Sequence, residues 1–146
     1  MAVALEVVVV SEGHLAQPPD FGELRIGRAE VRQVAEALLH GTVDANTTPG
    51  RPRGCLLVQS ALACGPEGES VRRDLAGRRE AAVDALRARF AQAQADGDLP
   101  PKVDPDSLAR YLTVVAHGIS VQAAGGASRE DLHRAADQAL SMWPST

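Results

Sequence analysis

The stretch DPDSLARYLTVVAHGISVQAAGG, residues 104–126, decides the fold. Asp104 before Pro105 is the expected start of a helix: a carboxylate to accept the first free amides, then a residue whose missing N–H costs nothing in the first turn. Gly125 and Gly126 supply the stop. Between them Leu108, Leu112, Val115 and Ile119 form one apolar stripe, and Tyr111, Val114, Gly118 and Val121 form a neighbouring one. A helix apolar over so much of its circumference packs on two sides, here its own core and a second subunit.

Helical periodicity continues in both directions. Downstream, Ser128 and Asp131 make a capping-box-like start, with Asp in place of the preferred Glu. Leu132, Ala135, Ala136, Ala139, Leu140 and Trp143 then recur at helical spacing until Pro144, on a face whose alanines permit close approach. Upstream, Val71, Leu75, Ala82, Val83, Leu86, Phe90 and Ala93 stripe a long helix ending near Asp96, with Gly97 as its stop. Its outer side carries Glu69–Arg73 and Asp74–Arg78 at favourable spacing. Pro66 suits the first turn of that helix.

Residues 55–64 are apolar nearly all round, with Gln59 and Ser60 as the polar exceptions, and belong inside. Before them NTTPGRPRG, residues 46–54, reads as a break. Residues 28–45 place Val31, Val34, Ala35, Leu38 and Leu39 on one helical face. Residues 1–27 read as an irregular arm, because LEVVVV has no second strong strand to pair with and prolines and glycines surround it. The expected fold is all-α, with about five helices over residues 28–146.

Composition narrows the function. The 146 residues are 45% hydrophobic, 23% charged and only 3% aromatic, which suits a helical core built from Ala, Leu and Val. A formal net charge of −4 without a basic cluster disfavours autonomous nucleic-acid binding. The apolar run around Val7–Val10 is too short to span a bilayer and has no preceding Lys or Arg to make it a secretion signal, so the expected compartment is the cytoplasm. Cys55 and Cys64, nine residues apart on one helix, point to opposite faces and read as small buried hydrophobes.

No hydrolase elbow, phosphate loop, dinucleotide fingerprint or zinc spacing occurs. His14, His40, His117 and His133 fall in different segments without a CxxC or HExxH companion, so neither a metal, a cofactor nor an enzyme is expected. His117 shares a stripe with Arg110, Thr113 and Ser120, a polar seam at a helix interface or a contact inside a ligand cavity.

From GCLLVQSALACGPEGESVRRDLAGRRE, residues 54–80, the chain resembles the C-terminal regulatory domain of TetR/AcrR-type transcriptional regulators. The likeness continues through A-x-x-x-G-D-L-P beginning at Ala93, D-P-x-x-L-A-R-Y at Asp104, G-A-S-R-E-D-L at Gly126 and the terminal Trp143. The resemblance implies that the last two helices pair with their symmetry mates in a four-helix dimer bundle, and that a small apolar or amphipathic effector binds among the preceding ones. Candidate effector contacts are Cys55, Gln59, Leu62, Phe90, Tyr111 and His117. Candidate dimer contacts are Val114, Gly118, Val121, Leu132, Ala136, Leu140 and Trp143.

The departure from the family pattern is at the front. Residues 1–27 contain neither the A-G-V-S turn nor the Y-x-x-F element of a helix-turn-helix head, so direct DNA binding by this chain alone is not expected. The leading expectation is a homodimeric effector-sensing domain. Its rival is an interaction module that pairs with full-length relatives and blocks their DNA binding.

Overall fold

The computed structural model describes residues 30–63 and 68–144. Among these, five helices run in the order α1 (Glu30–Thr47), α2 (Leu56–Ala63), α3 (Glu69–Ala95), α4 (Pro105–Ala124) and α5 (Arg129–Ser141). The arm expected over residues 1–27, Cys64 and Pro66 lie outside the described residues. The all-helical architecture and the five segments match the periodicity of the sequence.

The helix α4 is the hub, packing against α3, α1, α5 and α2. Its start is built as its sequence requires: the Asp104 carboxylate accepts from the amides of Asp106 and Ser107, and Pro105 occupies the first turn. Ser128 caps α5 in the same way, accepting from the Asp131 amide. Gly97, at φ 82, turns the chain after α3, where the amides of Asp98 and Leu99 return to the Ala93 carbonyl.

One continuous core joins α1, α3, α4 and α5. It contains Val31, Ala35, Leu39 and Val43 of α1, Val83, Leu86, Phe90 and Ala93 of α3, Leu108, Leu112, Ala116 and Ile119 of α4, and Leu132, Ala136 and Leu140 of α5. Phe90 is the largest fully buried side chain, a burial worth about 1.5–3 kcal/mol.

Three expectations change. The first helix runs two residues past Ala45, because Thr42, Asn46 and Thr47 are buried and each bonds the carbonyl one turn back: Leu38, Thr42 and Val43 respectively. Polar side chains that usually break a helix are satisfied within it here. The second helix is not wholly enclosed: Val58 is buried, but Leu56 is 62% exposed, since eight residues packed on α3 and α4 can hide only one side. The stripe of α3 is buried only from Val83 onward, while Val71, nearer its start, is exposed.

Candidate functional site

The junction of α2, α3 and α4 begins with a close approach. Gly54 has φ +91, and a Cβ there would stand 2.3 Å from Gln59 Nε2, 2.8 Å from Ala124 Cβ and 3.3 Å from the Ser120 carbonyl. Arg53 beside it donates from Nε to the Ala123 carbonyl at 2.9 Å and from Nη2 to the Ala127 carbonyl. These bonds tie Arg53 to the last turn of α4 and to the loop after it, and so fasten the entry to α2 there. Cys55 follows, half-buried, and Gln59 lies exposed with its amide 3.5 Å from the Arg53 carbonyl.

His117 is half-buried on α4. Burial, and then the positive charge of Arg79 on α3, hold its imidazole below the ordinary histidine value of 6.5, so the neutral ring is favoured at neutral pH. Arg79 also reaches α2, donating from Nη1 to the Leu57 carbonyl. Its neighbours on α3 behave differently: Arg72 and Arg73 pair with Glu69, and Arg78 with Asp74. Arg79 thus brings a guanidinium into the same junction as His117, a role that its place in an arginine-rich run conceals.

Of the expected effector contacts, Cys55, Gln59 and His117 belong to this end of the molecule. Phe90 does not: it is fully buried and meets Trp143 edge to face, ring centroids 6.1 Å apart. Tyr111 is exposed on the outer stripe of α4. The side chain of Leu62 lies outside the described residues.

The expected pairing residues divide by helix. On α4, Val114 is 69% exposed, Val121 is exposed, and Gly118 between them would meet nothing within 4 Å if it carried a Cβ. On α5, Leu132, Ala136 and Leu140 are buried in the protomer's own core and Trp143 packs against it. The amphipathic face of α5 therefore serves α1 and α4 within the chain, while the outer stripe of α4 stays an open apolar surface.

The structure also joins two histidines that the sequence left apart, His40 of α1 and His133 of α5, whose Nδ1 atoms lie 2.8 Å from each other. A faint signal was present: His40 and Asp44 are one turn apart, as are Arg129, His133 and Asp137. Which helix faces would meet could not be read from either segment alone. Among the described residues no group of three or more His, Cys, Asp or Glu is arranged to hold a metal ion, and no helix is long and apolar enough to cross a membrane.

Comparison with known proteins gives these surfaces their setting. Residues 31–139 match the family model described as the tetracyclin repressor-like C-terminal domain. The HTH-type transcriptional repressor ComR of Escherichia coli K12 is 31% identical over 98 residues, covering 67% of this chain and 47% of that protein. A cysteine-substituted form of the TetR family regulator CifR, complexed with a 26-bp operator DNA, superposes with a TM-score of 0.73 at 38% identity, over 78% of this chain and 60% of its own. A putative TetR regulator from Rhodococcus sp. RHA1 follows with a TM-score of 0.68 at 37% identity, over 80% and 62%. The chain therefore spans about half to three-fifths of the length of these relatives. A family model covering most of the chain, agreeing with both sequence and structural relatives, makes it a member of the TetR family of transcriptional regulators, with that family's C-terminal domain over residues 31–139.

Proposed function

We propose that this domain pairs with a second copy through the outer stripe of α4 and senses a small apolar or amphipathic effector at the α2–α3–α4 junction. The observation that carries the reading is the exposed row Tyr111, Val114, Gly118 and Val121, apolar side chains around a glycine on an otherwise well-packed helix. Contiguous exposed apolar surface of this kind marks an interaction site, and a glycine at its centre lets two helix backbones approach closely. On the effector side, Arg79 and His117 offer a donor and a neutral imidazole at the meeting of three helices.

In this reading the domain works in the cytoplasm as part of a transcriptional regulator. An effector that binds one arrangement of the paired domains better than another shifts the regulator between DNA-competent and DNA-incompetent states, and the shift cannot exceed that difference in affinity. No chemistry is performed on the effector.

The test is oligomeric state. Sedimentation at micromolar concentration should give a dimer for the natural sequence and a monomer for Gly118→Arg. Because nothing stands within 4 Å of the Gly118 Cβ position, the substitution leaves the protomer's own packing intact. A natural chain that sediments as a monomer rejects the pairing surface.

A further inference from the structure

We propose that Arg79 anchors the polar end of the effector and that this end is a carboxylate. The inference rests on reading the α2–α3–α4 junction as the effector site, and it names the chemistry that site would take. Arg79 is half-buried on α3 and commits one nitrogen, Nη1, to the Leu57 carbonyl of α2. Among the described residues its Nε and Nη2 meet no acceptor, and no carboxylate pairs with it. On the same helix Arg72, Arg73, Arg78 and Arg87 each face one or two carboxylates.

Docking α2 does not require this charge. A glutamine amide could serve the Leu57 carbonyl equally well, whereas a guanidinium drawn half out of water beside one neutral carbonyl loses hydration and gains no counter-ion. An anion entering the junction completes the arrangement. The open edge, Nε with Nη2, is the pair of parallel donors that a carboxylate takes in bidentate fashion. That edge is separate from the Nη1 bond, so the anion can dock without loosening α2 from α3. His117 borders the same space from α4, near enough to Arg79 to feel its charge, and its neutral ring offers one further donor and one acceptor.

Other charges around the junction are engaged. The helix α2 carries none. Glu80, next to Arg79 in sequence, is turned to Arg110 of α4, and Asp106 of α4 is turned to Arg87. On α1, Glu36 pairs with Arg32 and Asp44 with Arg129. On α5, Glu130 and Asp131 pair with Arg134, and Asp137 stands by His40. Arg79 is therefore left to an anion from outside the chain.

The probes are two matched pairs, octanoate with 1-octanol and phenylacetate with 2-phenylethanol, titrated into the full chain by calorimetry near neutral pH. At least one carboxylate should bind about tenfold or more tightly than its alcohol, as hydrogen bonds to a charged group imply. Arg79→Gln should abolish that preference and Arg79→Lys should restore part of it. Alcohols that bind as tightly as their carboxylates overturn the anchor and leave the effector site standing; no binding by any of the four rejects both. A second arm follows the His117 ring by proton NMR. Its titration midpoint should be higher with the carboxylate bound than with the matching alcohol bound, because the carboxylate offsets the charge of Arg79 while the two bodies pack alike. Equal midpoints place the carboxylate elsewhere and overturn the proposal. Should either variant fail to fold, the matched pairs and the His117 titration on the natural chain decide alone.

Discussion

Phe90 and Trp143 meet edge to face, their ring centroids 6.1 Å apart and their planes at 70°. The contact ties the segment just beyond α5 to the last turns of α3, in a chain whose other core members are aliphatic or alanine. Edge-to-face pairs add about 0.5–1.5 kcal/mol beyond the area they bury. Trp143 is the single tryptophan, so its fluorescence reports this contact directly.

Trp143→Ala should therefore destabilise the domain by about 2–3 kcal/mol, less than the ~3–5 of a fully buried tryptophan because the side chain is half-exposed. Urea denaturation followed by circular dichroism measures it. A loss below about 0.5 kcal/mol, the range of ordinary surface changes, would mean that the end of α5 is not docked on Phe90.

Gly54 invites a paired comparison with Gly50. Both have positive φ, +91 and +78, so an alanine at either carries the left-handed cost of about 1–2 kcal/mol. Only at Gly54 does the new Cβ also meet backbone and side-chain atoms of α4. Overpacking of that kind adds about 1–3 kcal/mol. Gly54→Ala should lose clearly more stability than Gly50→Ala in the same denaturation assay. Equal losses would show that the entry to α2 does not rest on the end of α4.

These relationships mark where sequence reasoning succeeds. Asp104, Pro105 and Ser128 announce helix starts because capping is a local transaction between a side chain and amides two or three residues on. The two stripes of α4 were legible for the same reason: periodicity assigns faces without knowing what covers them. What covers them was not legible. Leu132, Ala136 and Leu140 belong to the protomer's own core and Trp143 packs against it, yet their spacing would serve a partner equally well. Leu56 and Val71 are exposed although their neighbours in sequence suggest burial, because hydropathy does not reveal how much surface the adjoining helices can hide. The C-terminal end of α1 was misjudged because Asn46 and Thr47 follow buried back-bonding rather than turn propensity. The His40–His133 contact spans 93 positions and exists only because α1 and α5 pack side by side.

His117 gives the last prediction, and its sign follows from its surroundings. Burial first, and Arg79 second, lower its proton affinity in the folded chain below the ordinary value of 6.5. The unfolded state then binds the proton more readily, so this residue favours folding above that value and withdraws its contribution as pH falls through the interval below it. His117→Gln should flatten the acid side of the stability profile. Arg79→Gln should let the His117 ring titrate nearer to 6.5 in proton NMR without restoring it fully, since burial is the larger cause. Two outcomes would count against this arrangement. If Arg79→Gln leaves the His117 titration where it was, the guanidinium does not reach across from α3 to α4. If it restores the ordinary value completely, the ring is more solvated than its place on α4 implies, and a polar lining for an effector at this junction loses its support.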